Sequence, residues 1–226
     1  QVKVVQLLLK HLSVQSDILL NAINKNQEEM VRVLLANPNI DPSFNRNEPL
    51  RTAVMMGNTE VLKILLEDPR VTVCGQNKHT LIRLAVSRSS KKMVKFILQL
   101  PDIDPAGVVE DPTITSTKKI MVNPTTFDIA VSKGSLEIIR ILLADKRTNA
   151  QYYTGYTIAI ALRMNKLEIA RSLMNDEKTT LIDSSHYEII MKLAVKKQLL
   201  DVVMKISNVR RKDLKLRLNL VKRKSK

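Results

Sequence analysis

Asn47–Val73 reads NEPLRTAVMMGNTEVLKILLEDPRVTV, and the order of its signals decides the architecture. Pro49 suits the first turn of a helix, where its missing N–H would have no intrahelical partner anyway. Leu50, Ala53 and Val54 fall at i, i+3 and i+4 on one face. Gly57 stands four residues after Ala53, where helices commonly end in a left-handed residue that glycine adopts without steric cost. Asn58 or Thr59 can cap a second helix, with Glu60 favourable near its positive end. Val61, Leu62, Leu65 and Leu66 form its buried stripe. Asp68-Pro69 stops it, because the residue before proline is pushed out of the helical region. Helices of about 10 residues are too short to stand alone in water. Such a unit must bury its apolar face against copies of itself.

The copies are present. Taking the small residue of the first helix as register gives Ala22, Ala53, Ala85, Ala130, Ala161 and Ala194, at spacings of 31, 32, 45, 31 and 33. Four residues on stand Asn26, Gly57, Ser89, Gly134, Asn165 and Gln198, mostly residues that tolerate a left-handed turn. Eight residues on stand Met30, Val61, Met93, Ile138, Ile169 and Val202, and twelve on stand Leu34, Leu65, Ile97, Leu142, Leu173 and Ile206.

A unit near 33 residues in helix–turn–helix order resembles the ankyrin repeat. Pro49-Leu50-Arg51-Thr52-Ala53, Gly57-Asn58, Glu60–Leu66 and the echo Gly134–Leu143 carry the likeness, which spans residues 1–207. The opening Thr-Pro-Leu-His of that family is never complete: the copies read Glu48-Pro49-Leu50-Arg51, Thr80-Leu81-Ile82-Arg83 and Thr125-Thr126-Phe127-Asp128. The resemblance implies an all-α solenoid of stacked helix–turn–helix repeats, curved in the right-handed sense. The loops Asn37–Pro42 and Pro101–Pro105 read as short and proline-pinned.

Read in that register, residues 1–10 form a half repeat, a second helix without its first. Repeats follow at about 16–42, 47–73, 78–105, 123–149, 154–176 and 186–207. An insertion at 106–122 breaks the period; its β-prone residues suggest a projecting loop or small hairpin, either a spacer or a contact surface. Tyr152, Tyr153 and Tyr156 cluster at the fifth unit, as contact anchors or as a wedge between units. A basic tail occupies 208–226. There Leu214, Leu216, Leu218 and Leu220 alternate with Lys215, Arg217 and Asn219. That period of two suggests an extended segment with one apolar face, able to cover the last unit or join a partner's sheet; a partial helix closing the stack is the other reading.

The 226 residues are 44% hydrophobic, so a large core is available, yet only 3% are aromatic and none is tryptophan. That core is aliphatic with methionine. Apolar runs fall far short of the ~20 residues that span a bilayer. The lone Cys74 excludes an intramolecular disulfide and fits a reducing, intracellular compartment, cytoplasmic or nuclear. Net charge is +15, and residues 210–226, with nine basic groups and one acid, hold +8 of it.

Two rows of equivalent positions carry the functional signal. Ten residues after the alanine stand Arg32, Lys63, Lys95, Arg140 and Arg171, with Met204 sixth. Seven after it stand Glu29, Glu60, Lys92, Glu137, Glu168 and Asp201. Together these positions make the first row, which reads as a self-neutralised outer ridge of i, i+3 pairs, broken at Lys92–Lys95. Two and three residues after the alanine the second row reads Asn24-Lys25, Met55-Met56, Ser87-Arg88, Ser132-Lys133, Arg163-Met164 and Lys196-Lys197, without an acid. The resemblance places this row on the inner, concave face used for binding. Lys25, Met55, Met56, Arg88, Lys133, Arg163, Met164, Lys196 and Lys197 are then partner-binding residues, a basic track with methionine steps suited to adaptable contact. Cations at helix C-termini also simply complement the helix dipole, the blander reading.

No set of residues points to catalysis, to a metal or to a cofactor. His11, His79 and His186 lie in different units, read respectively as a helix-end residue, a loop residue and a capping or core-edge residue. The glycines are scattered singly, so no phosphate loop exists, and Glu28-Glu29 are adjacent, so their side chains diverge on a helix. The expectation is a non-catalytic protein–protein interaction module or scaffold that binds an acidic partner on its concave face, monomeric or within a larger complex. The alternative is an RNA-contacting structural subunit of a ribonucleoprotein. That reading uses the basic row together with Arg210, Arg211, Lys212, Lys222, Arg223 and Lys224.

Overall fold

In the computed structural model, residues 15–73, 76–101, 103–107, 124–148, 155–176, 184–208 and 211 are described. Among them regular structure is helical throughout, with no strand. Helices come in pairs. The first three are α1 (Gln15–Asn24) with α2 (Glu28–Leu35), α3 (Phe44–Met56) with α4 (Thr59–Glu67), and α5 (Gln76–Ser87) with α6 (Lys91–Leu98). Then come α7 (Thr126–Lys133) with α8 (Leu136–Ala144), α9 (Gly155–Arg163) with α10 (Leu167–Asn175), and α11 (Ser184–Lys196) with α12 (residues 200–208, with Arg211 also helical). The chain divides into two compact units, Gln1–Val109 and Glu110–Lys226.

The turn between paired helices is one motif used six times. Asn26, Gly57, Ser89, Gly134, Asn165 and Gln198 all have positive φ, between 53° and 77°. At each turn two N–H groups bond back: in the second pair Gly57 N donates to Val54 O at 3.1 Å and Asn58 N to Ala53 O at 3.0 Å. The same two bonds recur at Asn26/Gln27, Ser89/Ser90, Gly134/Ser135, Asn165/Lys166 and Gln198/Leu199. This is the Schellman closure, in which a left-handed residue lets two otherwise orphaned carbonyls be satisfied. It always takes the carbonyl of the register alanine. That residue is also buried in every pair, because first helices lie side by side and a larger side chain would push them apart.

Within the first unit α1 packs on α3 and α3 on α5, while α2 packs on α4 and α4 on α6. Within the second, α7 packs on α9 and α9 on α11, with α8 on α10. The columns twelve residues past the alanine, Leu34, Leu65, Ile97, Leu142, Leu173 and Ile206, are fully buried. Eight past it, all are buried except the half-buried Met30.

Helix starts depart from simple capping. Asn58 occupies the cap position of α4 but makes no side-chain cap bond; its Nδ2 donates instead to Ile23 O of the preceding pair, at 2.9 Å. The start of α3 contains a left-handed turn. Asn45, Arg46 and Asn47 have φ of 48°, 57° and 58°, and right-handed helix begins only beyond them, which leaves Pro49 in a first turn. The guanidinium of Arg51 closes that turn on the carbonyls of Arg46 and Asn45, and Asn47 Nδ2 donates to Thr72 O at 2.8 Å. His79 lies in α5, half-buried, rather than in the loop the sequence implied, because that helix starts at Gln76. His11, Cys74, Tyr152, Tyr153, the half repeat 1–10 and most of the 106–122 insertion lie outside the described residues.

Candidate interaction surface

The C-terminal ends of the first helices and the turns after them carry the candidate row. In the first unit Lys25, Met55, Met56 and Arg88 are exposed, the two methionines at 49% and 50%. In the second, Lys133, Arg163, Met164 and Lys196 are exposed, Met164 at 43%. The buried stripe of each first helix sits on the alanine and its i+1, i−3 neighbours; the residue two past the alanine falls on the opposite side, and the residue three past it stands at the flank, where the helix ends. Lys197 is the exception: it is half-buried and its Nζ donates to Asn165 Oδ1 at 2.9 Å, tying one turn to the previous one. Lys166 lies over a turn in the same way, its Nζ 2.9 Å from where a Cβ on Gly134 would stand.

The outer ridge is self-neutralised, as its spacing predicts, with bonds across pairs as well as within them. Lys63 donates to Glu60 at 3.0 Å, Arg140 to Glu137 at 3.3 Å and Arg171 to Glu168 at 2.9 Å. Arg171 also bonds Asp201 of the next pair at 2.8 Å, and Arg32 reaches Glu67 at 3.5 Å. The hydrogen bond from Lys63 holds the Glu60 carboxyl below its ordinary range, and the bond from Arg171 does the same for Asp201. Anions are thus already supplied to this ridge from within the chain, whereas the row on the first helices contains none.

Sequence spacing did not single out the loop pairs Asp68/Arg70 and Asp145/Arg147. Arg70 forks onto Asp68 at 2.6 and 2.9 Å and donates to the carbonyls of Leu35 and Ile40 at 2.7 and 2.8 Å. The bond from Arg70 holds the Asp68 carboxyl below the usual range. Arg147 forks onto Asp145 at 2.7 and 3.0 Å. The signal was available: aspartate, one residue, arginine, directly after the second helix in both units.

Tyr156 meets His186 edge-on, ring centroids 6.1 Å apart, so of the three clustered tyrosines this one serves packing between α9 and α11. Of the basic tail residues, Arg211 is exposed; Arg210, Lys212, Lys222, Arg223 and Lys224 lie outside the described residues. Among the described residues no cluster of His, Cys, Asp and Glu could hold a metal, and no helix is long and apolar enough to cross a membrane.

Comparison with known proteins gives the same repeat. The family described as ankyrin repeats (3 copies) matches residues 1–73 and 19–108. The chain is 37% identical over 83 residues to transient receptor potential cation channel subfamily A member 1 of Homo sapiens. That match covers 34% of this chain and 7% of the channel subunit. Over residues 1–108 this is ankyrin-repeat sequence, and the helical pairs of the second unit are built in the same way. Repeats of this kind generally mediate protein–protein contacts and are generally non-catalytic.

Proposed function

We propose that this ankyrin-repeat protein is a non-catalytic docking module inside the cell, binding an acidic protein partner along the exposed ends of its first helices. The observation that carries the reading is the contrast between two faces. On the second helices Arg32, Lys63, Arg140 and Arg171 each have an internal carboxylate partner, while Lys25 and Arg88 in the first unit and Lys133, Arg163 and Lys196 in the second stand exposed at equivalent positions of the first helices, a column without an acid. Unneutralised charge raises association rates and selects partners of opposite sign. The exposed Met55, Met56 and Met164 add apolar contact that adapts to a partner's shape.

The test is titration of a poly-glutamate 20-mer against the protein and against the triple variant Arg88→Glu/Lys133→Glu/Arg163→Glu. Helical circular dichroism checks the fold of the variant. Affinity is expected to fall at least tenfold with the fold unchanged; equal affinity removes the row as the site. Met55→Ala/Met56→Ala should leave poly-glutamate binding unchanged and weaken a genuine protein partner isolated from the native source.

A second reading, an RNA-contacting structural subunit, is favoured by the concentration of charge in residues 210–226. Binding to phosphates weakens steeply with salt through counterion release. An oligouridylate 20-mer that binds more tightly than poly-glutamate, and loses that affinity when residues 212–226 are removed, would favour this reading instead.

A further inference from the structure

The third pair breaks the rule that the outer ridge otherwise keeps. Seven residues past the alanine stand Glu29, Glu60, Glu137, Glu168 and Asp201, but in the third pair Lys92, and ten past it that pair carries Lys95. Both lysines are exposed on α6. Like charges one turn apart on a helix repel. The first turn of α6 also lacks an acid, where α2, α4, α8 and α10 each have at least one, so Lys92 faces the positive end of the helix dipole. The neighbouring pair does not repair this. Glu60 of α4 is held below its ordinary range by the hydrogen bond from Lys63 and, more weakly, by the charge of Lys92. Lys63 already bonds that carboxylate at 3.0 Å, with its Nζ 5.8 Å from the ring centroid of Phe96 on α6. Lys63 and Lys92 thus share one anion, and Lys95 adds a further cation. This local surplus of positive charge weakens the isolated chain and is relieved by an anion from outside.

Continuity with the first-helix column identifies that anion. Arg88, at the end of α5, is exposed and stands four residues before Lys92, so at most roughly 14 Å separates them. Lys95 lies about 4.5 Å further along α6. In the other pairs the acid at the seventh position repels an acidic chain that leaves the first helix; in the third pair the way is open. We infer that an acidic segment of the protein partner crosses the Ser89–Ser90 turn and runs from Arg88 onto Lys92 and Lys95, gripping the third pair on both of its helices. The inference rests on the reading of the first-helix column as a site for an acidic protein. An extended chain advances ~3.3 Å per residue, so about six residues rich in aspartate and glutamate reach from Arg88 to Lys95.

The experiment titrates a poly-glutamate 20-mer against the full chain and against Lys92→Glu, which writes into the third pair the acid that the other five carry at that position. Lys146→Glu, at an exposed loop residue of the second unit, makes the same change of charge outside both the column and α6. Affinity is expected to fall at least ~5-fold for Lys92→Glu and less than ~2-fold for Lys146→Glu, as screened charges act only over about 10 Å. Equal losses in the two variants, or none in Lys92→Glu, overturn the inference. A second measurement needs no variant: acetylation by acetic anhydride with and without poly-glutamate, read by mass spectrometry. Lys92 and Lys95 should be protected and Lys146 should not. Protection confined to Lys25, Lys133 and Lys196 keeps the first-helix column and overturns the crossing. Protection of Lys92 and Lys95 without those three removes the column, and the crossing with it. An oligouridylate 20-mer that protects Lys92 and Lys95 more strongly than poly-glutamate would make the patch a phosphate site and overturn the acidic-protein occupant.

Discussion

Arg70 reaches back a full repeat: bound to Asp68, its guanidinium closes carbonyls at the end of α2 and in the loop after it, at Leu35 and Ile40. Removing it strips those acceptors of their donor and leaves the half-buried Asp68 carboxylate with the backbone N–H of residue 70 but without its guanidinium. Arg70→Ala should cost roughly 1–3 kcal/mol, read from urea unfolding, and Arg70→Lys should recover only part, since an ammonium lacks the planar fork. The pH dependence follows from the lowered Asp68 pKa. The folded state holds the proton less tightly than the unfolded chain, whose aspartates titrate near ~3.9. The stabilisation is therefore present above that pH and is lost as pH falls through the lower folded value. Comparing urea midpoints at pH 7 and pH 3, Asp68→Asn should be destabilised at pH 7 and show a smaller loss on acidification than the parent. The turn residues permit a second residue-scale test. Ser89 and Gln198 hold positive φ without glycine's freedom, a strain of about 1 kcal/mol. Ser89→Gly and Gln198→Gly should each raise thermal stability by a fraction of that. Asn165→Gly should gain nothing, because Asn165 also accepts from Lys197. A rise for Asn165→Gly equal to that for Ser89→Gly would mean the lysine contact contributes little.

At the scale of elements, α7 shows how two short helices become one object. Thr125 caps it and receives Asp128 N at 3.2 Å, while Asp128 accepts from Thr125 N at 2.9 Å, a reciprocal capping box. The second carboxylate oxygen of the same buried aspartate accepts from Thr157 Oγ1 of α9 at 2.7 Å. One side chain thus starts a helix and fastens it to its neighbour. Asp128→Ala and Thr157→Val should each destabilise the second unit. In a double-mutant cycle they should couple by about 0.5–3 kcal/mol; additive losses would show the cross-helix bond contributes nothing. The existence and pairing of the helices were legible, since Ala, the turn residue and the i+12 leucine or isoleucine recur at fixed offsets and each column does one physical job. The links between pairs were not. Nothing in local spacing tells that Asn58 spends its amide on Ile23 O rather than on its own helix, that Arg32 turns to Glu67, or that Asp128 faces Thr157, because those choices depend on how closely neighbouring pairs approach. What was legible of the candidate row is the exposure of the residue two past the alanine, which periodicity places opposite the buried stripe. Lys197 was the misfit, because its long stem reaches the previous turn.

At the scale of the whole molecule, the pattern of contacts fixes how damage spreads. Within each unit neighbouring first helices touch one another, as do α2, α4 and α6 in the first unit and α8 and α10 in the second. Stability in such an array is close to a sum of pair energies and nearest-neighbour interfaces, so a defect is felt strongly at its own position and less at each step away. The chain also divides into two compact units. Leu65 and Leu142 occupy equivalent, fully buried positions in different units, which makes them a matched pair of probes. Truncating either to alanine removes the same atoms and should cost about 2–5 kcal/mol. Native-state hydrogen exchange then distinguishes two outcomes. If the units unfold separately, Leu65→Ala should lower protection in α1 to α6 and leave α7 to α11 within a factor of about two, and Leu142→Ala should do the reverse. If either substitution lowers protection everywhere by one factor, the chain unfolds as a single cooperative block. Within the first unit the same measurement grades the effect: because Leu65 lies in the middle pair, α2 and α6 should lose protection about equally, whereas Leu34→Ala should loosen α2 far more than α6.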